Sequence, residues 1–255
     1  MAIQRYFLEV AYKGTNYSGF QVQHNANSIQ AEVEKALTIL FRQRINLTGS
    51  SRTDAGVHAL QNFFHFDAEI NITEKNLYNL NSILPADIVA KAFHKVDNSS
   101  HCRFDAVSRE YNYFVYNKKN PFLQDTAYYF PYKLNLEKLE KAAKILTQYT
   151  DFTSFSKRRT QVKNFTCNIY CSEWLLEKDY VVYKVVANRF LRGMVRGFVG
   201  TMLKVAKSSI ALEQLNHIIE SRNCAKADFS VPSKGLLLVK VNYEENVLRQ
   251  RNYTV

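Results

Sequence analysis

The spacing of apolar residues switches repeatedly between two periods along this chain, and that switching limits the folds open to it. Residues 5–12 form a run of aromatic and branched side chains with the character of a strand. Gly14, Asn16 and Gly19 then punctuate a loop. Ile29, Val33, Ala36, Leu37, Leu40 and Phe41 recur at helical spacing, with Asn27 or Ser28 as the N-cap. Residues 60–66 read as a strand, 77–83 as a second helix and 87–96 as a further strand. The rhythm then returns. Residues 111–116 are strand-like, and Leu136, Leu139, Ala143 and Leu146 mark a helix. Strands follow at 169–175 and 180–187, helices at 191–205 and 211–220, and a closing strand at 236–243. This order predicts an α+β fold, with helices packed on largely antiparallel sheet. No close internal repeat and no low-complexity segment interrupts it.

At 255 residues, 46% of them apolar, the chain can bury a substantial core as one large domain or two smaller ones. Glu9 and Lys13 break the early apolar run, and no apolar stretch approaches the roughly 18 residues of a membrane helix. The expectation is a soluble, cytoplasmic protein without a membrane partner. Cys102, Cys167, Cys171 and Cys224 show neither a disulfide framework nor paired zinc spacing, so reduced thiols and no metal are expected. Charge is uneven. Residues 1–103 carry 10 lysines and arginines against 9 acids, and residues 104–255 carry 24 against 14. A basic half beside a neutral one suggests a polyanion-binding face, and aromatics at 13% can add stacking on unpaired bases.

Residues 48–58 read Thr-Gly-Ser-Ser-Arg-Thr-Asp-Ala-Gly-Val-His. The run follows a helix and precedes a strand, so it is a loop on a scaffold, where catalytic groups concentrate. Asp54 stands two residues after Arg52, an arrangement able to keep a half-buried carboxylate ionised. The same pair can equally brace a turn.

The run Arg52-Thr-Asp-Ala-Gly-Val-His58 resembles the active-site signature of the tRNA pseudouridine synthase I family. Further segments resemble that family in the same order: 12–23 (Tyr-Lys-Gly-Thr-Asn-Tyr-Ser-Gly-Phe-Gln-Val-Gln), 80–88, 108–113 (Ser-Arg-Glu-Tyr-Asn-Tyr), 151–155, 190–200 and the strand after Gly235-Leu236. Together they span nearly the whole chain. Lys13 stands where the family usually has Asp, Phe20 where it has Trp, and Ser51 where it has Gly. The segment around Cys167 lacks a common Arg. These departures leave the expected nucleophile in place and bear on substrate preference. The resemblance implies two related α+β halves meeting at a basic active-site cleft. Residues 1–103 would form the domain with the catalytic loop, and 104–255 the basic domain.

The implied reaction turns uridine into pseudouridine in the tRNA anticodon stem-loop, at positions 38–40, on a homodimer. It breaks the ribose–nitrogen bond of the base, rotates the base and rejoins it through carbon. Nothing is oxidised and no group is carried away, so no cofactor is expected. The chain has neither a Walker loop nor a Gly-x-Gly-x-x-Gly fingerprint. The reaction needs a carboxylate against an extruded nucleotide, and Asp54 is that group. Attack on the sugar, attack on the ring and removal of a ribose proton all remain open. Arg52 can fill the space left by the flipped base, hold a phosphate, or simply brace the loop. Tyr111 and Tyr113 point to one face of a strand; the resemblance assigns Tyr111 to stacking on uracil, and Tyr113 is read as core. Arg192 and Arg196, four apart on the expected helix, would share a face, and Arg196 resembles the basic residue that pairs with the catalytic Asp. Leu236 can pack beneath the base or be a plain strand residue. His58 is either near substrate or engaged in a structural hydrogen bond. Residues 157–159, Lys-Arg-Arg, form a solvated loop or a phosphate contact. Two rival readings stand beside this one: a tRNA-binding or folding protein with little catalysis, and a family enzyme retargeted to other uridines.

Overall fold

Strands and helices form close to where the apolar spacing places them. The first run comprises β1 (Gln4–Tyr12), α1 (Ile29–Phe41), β2 (Thr48–Gly49), β3 (His58–Ala68), α2 (Glu74–Ile83) and β4 (Ile88–Val96). The second comprises β5 (Ala106–Tyr116), β6 (Tyr128–Tyr129), α3 (Leu136–Leu146), β7 (Ile169–Leu176), β8 (Val181–Ala187), α4 (Met194–Ala206), α5 (Leu212–Glu220), β9 (Leu236–Tyr243) and β10 (Arg251–Thr254). This computed structural model describes residues 3–158, 162–248 and 251–254. The class is the expected α+β with largely antiparallel sheet.

The chain packs as two units, one holding residues up to Val107 together with those from Leu238 onward, the other Ser108–Leu237. The sequence reading placed 104–255 together. The division differs because β9 lies beside β3 and β10 pairs antiparallel with β4, which returns the C-terminal strands to the first unit. An apolar strand pattern announces that a strand will pair, and leaves its partner unspecified.

In the first unit β1 is central, antiparallel to β3 on one side and β4 on the other, in the order β10-β4-β1-β3-β9 with β2 on β3. The helix α1 starts where Ser28 Oγ accepts the Ala31 N–H at 3.2 Å, a cap worth about 1 kcal/mol. It stops at Arg42, whose φ of 56° is left-handed. Its buried stripe, Ile29, Val33, Ala36 and Leu37, matches the helical spacing. Val33, Leu37, Leu80, Phe64 and Phe93 are all removed from water, each large side chain contributing about 2 kcal/mol.

In the second unit β8 lies between β5 and β7, antiparallel to both, and β6 runs parallel to β5. The helix α3 packs on β7 and α4, and α5 packs on α3 and α4. Phe152, Phe155 and Phe198 meet edge to face, with centroids 5.2 Å and 4.8 Å apart across the Phe198 ring. The helix α4 begins at Met194, later than the spacing predicts, because Gly193 at φ 74° leaves the helical path. Arg192 therefore lies in the turn before the helix and shares no helical face with Arg196, contrary to the expectation.

Candidate active site

The loop of residues 50–57 joins β2 to β3 and is tied down at nearly every residue. Ser50 N–H donates to Phe63 O at 2.8 Å. The buried Thr53 hydroxyl shares a 2.8 Å hydrogen bond with the Tyr12 hydroxyl, and Thr53 O accepts the Phe20 N–H at 3.1 Å. Val57 N–H donates back to Asp54 O at 3.2 Å, closing a turn through Gly56, whose N–H donates to Tyr17 O at 3.3 Å. Asp54 stands half-buried at the head of that turn, between buried Thr53 and exposed Ala55. Behind the loop, a Cβ added at Gly14 would lie 2.0 Å from Val57 O, so only glycine lets the Gly14–Asn16 turn approach this closely.

Arg52 is exposed, and among the described residues no ion pair joins it to Asp54. The loop is braced by main-chain and hydroxyl groups, so an Arg52–Asp54 pair, the alternative in which that pair braces the turn, is not what holds it. His58 is buried, and its Nδ1 accepts the Gly14 N–H at 3.0 Å, which places the ring proton on Nε2. This is the structural bond the sequence reading offered as one alternative.

One positioning residue escaped the sequence reading. Asn62, fully buried in β3, accepts the Ser51 N–H at 3.2 Å and donates Nδ2 to Ser51 O at 2.8 Å and to the Tyr12 hydroxyl at 3.1 Å. It pins the loop just ahead of Arg52. An amide inside the strand-like run 60–66 was the visible signal, since a buried amide must find partners. Phe20, a departure from the family pattern, is buried and stacked on Phe64 with centroids 4.5 Å apart, so it supports the loop from beneath. Ser51, another departure, is buried, and among the described residues its hydroxyl has no hydrogen-bond partner. Lys13 is exposed, and its N–H donates to Asp87 O at 2.9 Å.

The second unit carries most of the positive charge: residues 108–237 hold 21 lysines and arginines against 11 acids, the rest of the chain 13 against 12. Tyr111 and Tyr113 are both buried on β5. Tyr111 meets the Phe190 ring edge-on at 5.0 Å. The Tyr113 hydroxyl donates to Pro232 O at 2.6 Å, and burial pushes its pKa far above the ordinary range despite the Arg196 charge, so it stays protonated. Arg196, on the first turn of α4, is held by the carbonyls of Val231 through Nε at 2.8 Å and of Phe229 through Nη2 at 3.3 Å. That segment reaches the helix because position 200 is glycine; a Cβ there would lie 2.2 Å from Asp228 O. The same segment runs on through Pro232 to Leu236, a buried residue opening β9. Tyr113, Arg196 and Leu236 thus share one main-chain support.

Lys157 N–H donates to Arg192 O at 3.0 Å, which joins two basic loops; Arg159 lies outside the described residues. Burial pushes the Cys167 thiol up to about 11, so it stays protonated. The fold does bring together His65, His101 and Cys102, with one ligand-type atom from each within 4.8 Å. Main-chain N–H groups already donate to both imidazoles: Cys102 N to His65 Nδ1 at 3.3 Å, Arg103 N to His101 Nδ1 at 3.1 Å. Among the described residues no helix is long and apolar enough to cross a membrane.

Compared with known proteins, the chain matches the family described as tRNA pseudouridine synthase over residues 9–105 and 142–244. It is 41% identical over 251 residues to the tRNA pseudouridine synthase A of Parabacteroides distasonis, covering 96% of this chain and 98% of that one. It is 40% identical over 256 residues to the protein of that name from Bacteroides thetaiotaomicron, covering 97% and 94%. For the Staphylococcus aureus protein of that name the identity is 36% over 247 residues, covering 96% and 92%.

Proposed function

We propose that this chain, which belongs to the tRNA pseudouridine synthase family, isomerises uridine in the anticodon stem-loop of tRNA at positions 38–40, with Asp54 as its catalytic carboxylate. The enzyme class is an isomerase of the pseudouridine type. The bond from ribose C1′ to base N1 breaks, the bond from C1′ to C5 forms, and the C5 proton is lost while N1 gains one. Atoms and electrons balance within the substrate, so the protein has only to extrude the nucleotide, supply one carboxylate and hold both still.

The observation that carries the reading is the immobilised turn at Asp54. Every main-chain bond around it fixes the carboxylate's Cα, and its side chain is half-exposed at the turn's head. A nucleophile or base needs that combination. Arg52, exposed beside it, is assigned to the space left by the flipped base or to a phosphate. Tyr111 is assigned to stacking on the uracil, Arg196 to pairing with the carboxylate, and Leu236 to the floor under the base. His58, with Nδ1 engaged by Gly14, is left as a neighbour of the loop without a proton-transfer role. The working form is proposed to be a cytoplasmic homodimer, which sedimentation with and without tRNA would test.

The deciding experiment compares wild type with Asp54→Asn on unmodified tRNA transcripts, measuring both binding and pseudouridine formation. Wild type is expected to modify the anticodon arm, and Asp54→Asn to bind tRNA and leave it unmodified. Pseudouridine mapped elsewhere would refute the assigned positions. Turnover retained by Asp54→Asn would refute its role, and binding without modification by wild type would favour the non-catalytic reading.

A further inference from the structure

At the end of β5 away from Tyr111, the second unit opens a pocket of about 550 Å³. Its walls are the residues following β5, the turn between β7 and β8, and the segment entering α3. Tyr111 pairs with Val185 and Val115 with Val181, so the pocket begins about 13 Å along the strand from Tyr111. Lys118, Lys119, Lys133 and Lys178 stand around it, with Phe122 and Leu176 on its apolar rim.

All four lysines are exposed, and among the described residues none of their ammonium groups makes an ion pair or hydrogen bond, although Glu177 and Asp179 line the same pocket. Elsewhere in this unit Lys141, Lys184 and Lys204 each reach a carboxylate, at 2.7, 3.5 and 3.1 Å. Phe122 is 90% exposed, yet it is not on a loose loop. It sits in the turn Pro121–Leu123, where Asn120 Oδ1 accepts the Phe122 N–H at 2.9 Å and Pro121 restricts the backbone. The ring is presented to solvent by a capped, proline-stiffened turn. Uncompensated cations around a concavity suit phosphates, and a fixed exposed ring suits the face of an unstacked base.

The geometry points to a second RNA-contact site here, which takes an unpaired nucleotide with its phosphates among the four lysines and its base on Phe122. This rests on the reading of the chain as acting on tRNA. A second copy of the chain is the poorer occupant. In a two-fold contact the same patch faces itself, which sets lysines against lysines.

The test uses the full chain and unmodified tRNA transcripts, with binding measured across about 0.05–0.2 M salt and turnover at saturating tRNA. Lys118→Ala/Lys119→Ala is expected to weaken binding and to flatten the slope of log affinity against log salt by about 1–2. Phe122→Ala is expected to weaken binding about fivefold or more with the slope kept, as loss of one stacked base requires. Both should turn over saturating tRNA as wild type does, since neither belongs to the Asp54 loop. Wild-type affinity in either variant would overturn the site. Lost turnover with unchanged affinity would also overturn it, as would a monomer–dimer shift in Phe122→Ala without an affinity change. If wild type binds with these dependences yet forms no pseudouridine, the enzymatic reading fails and the RNA site stands.

Discussion

Replacing Asn62 by leucine isolates what the buried amide does for the Asp54 loop. Leucine has nearly the same volume, so no large cavity opens, and the change is one of polar partners. Ser51 loses the acceptor of its N–H at 3.2 Å and the donor to its carbonyl at 2.8 Å, both in buried surroundings. Each group left without a partner costs about 1–3 kcal/mol, so the pair costs roughly 2–6 kcal/mol before any relaxation. Relaxation brings this to about 3 kcal/mol, which lowers the melting temperature of a unit this size by about 10 °C. The loop shifts to find water for Ser51, and a displacement of about 1 Å at Asp54 can cost about 100-fold in turnover. Affinity for tRNA should change less than turnover, because Arg52 is the one basic side chain of the loop. Asn81 provides the control. It clamps Ala90 in the same way, accepting its N–H and donating to its carbonyl at 2.8 Å each, in the same unit but away from the loop. Asn81→Leu, whose two bonds are only part-buried, should therefore lose some stability but less than Asn62→Leu, and keep its turnover below the melting transition. Equal turnover losses in the two variants, or full turnover in Asn62→Leu, would refute the positioning argument.

Acid should unfold the first unit in two stages. Burial and the charges of His101 and Arg5 bring His65 down to about 4 from 6.5, so the unfolded chain takes up a proton first, and stability falls as pH drops from 6.5 to 4. For Glu9, burial alone would raise the value, but hydrogen bonds from His94, Gln61 and Lys91 outweigh it and hold the carboxylate at about 2; its contribution is complete above 4.5 and lost below. Each is worth at most about 3 kcal/mol. Urea midpoints against pH should show both limbs, His65→Asn removing the upper and Glu9→Gln the lower; a level curve down to pH 4 would refute the first. Gly200→Ala places a Cβ 2.2 Å from Asp228 O and must displace the segment whose Phe229 and Val231 carbonyls hold Arg196. A loss of about 1–3 kcal/mol is expected by thermal unfolding, with reduced turnover. An unchanged melting temperature would mean the segment yields freely.

Much of this protein is written in its apolar spacing, because side-chain burial is a property of single positions. The stripe of α1 and the alternation along β5 follow directly from residue type. The loop at Asp54 was legible for another reason: its acid, glycine and basic residues are chemically unusual neighbours in so short a run. What escaped were arrangements whose second partner is main chain. Arg196 is held by the carbonyls of Phe229 and Val231, and a carbonyl is present at every position, so nothing in residues 229–231 marks them as a clamp. The close approach at Gly200 is legible only once its neighbour Asp228 is known. Asn62 is the intermediate case. Its partners Ser51 N–H and C=O are anonymous, but the amide is not, and a buried amide in an apolar strand demands an account of its bonds. The same demand falls on Gly193, where a glycine ahead of an apolar helix allowed the later start of α4. The residues that position a site are therefore found in sequence as local exceptions, a polar group inside an apolar run or a glycine at the edge of a helix, before any partner can be named.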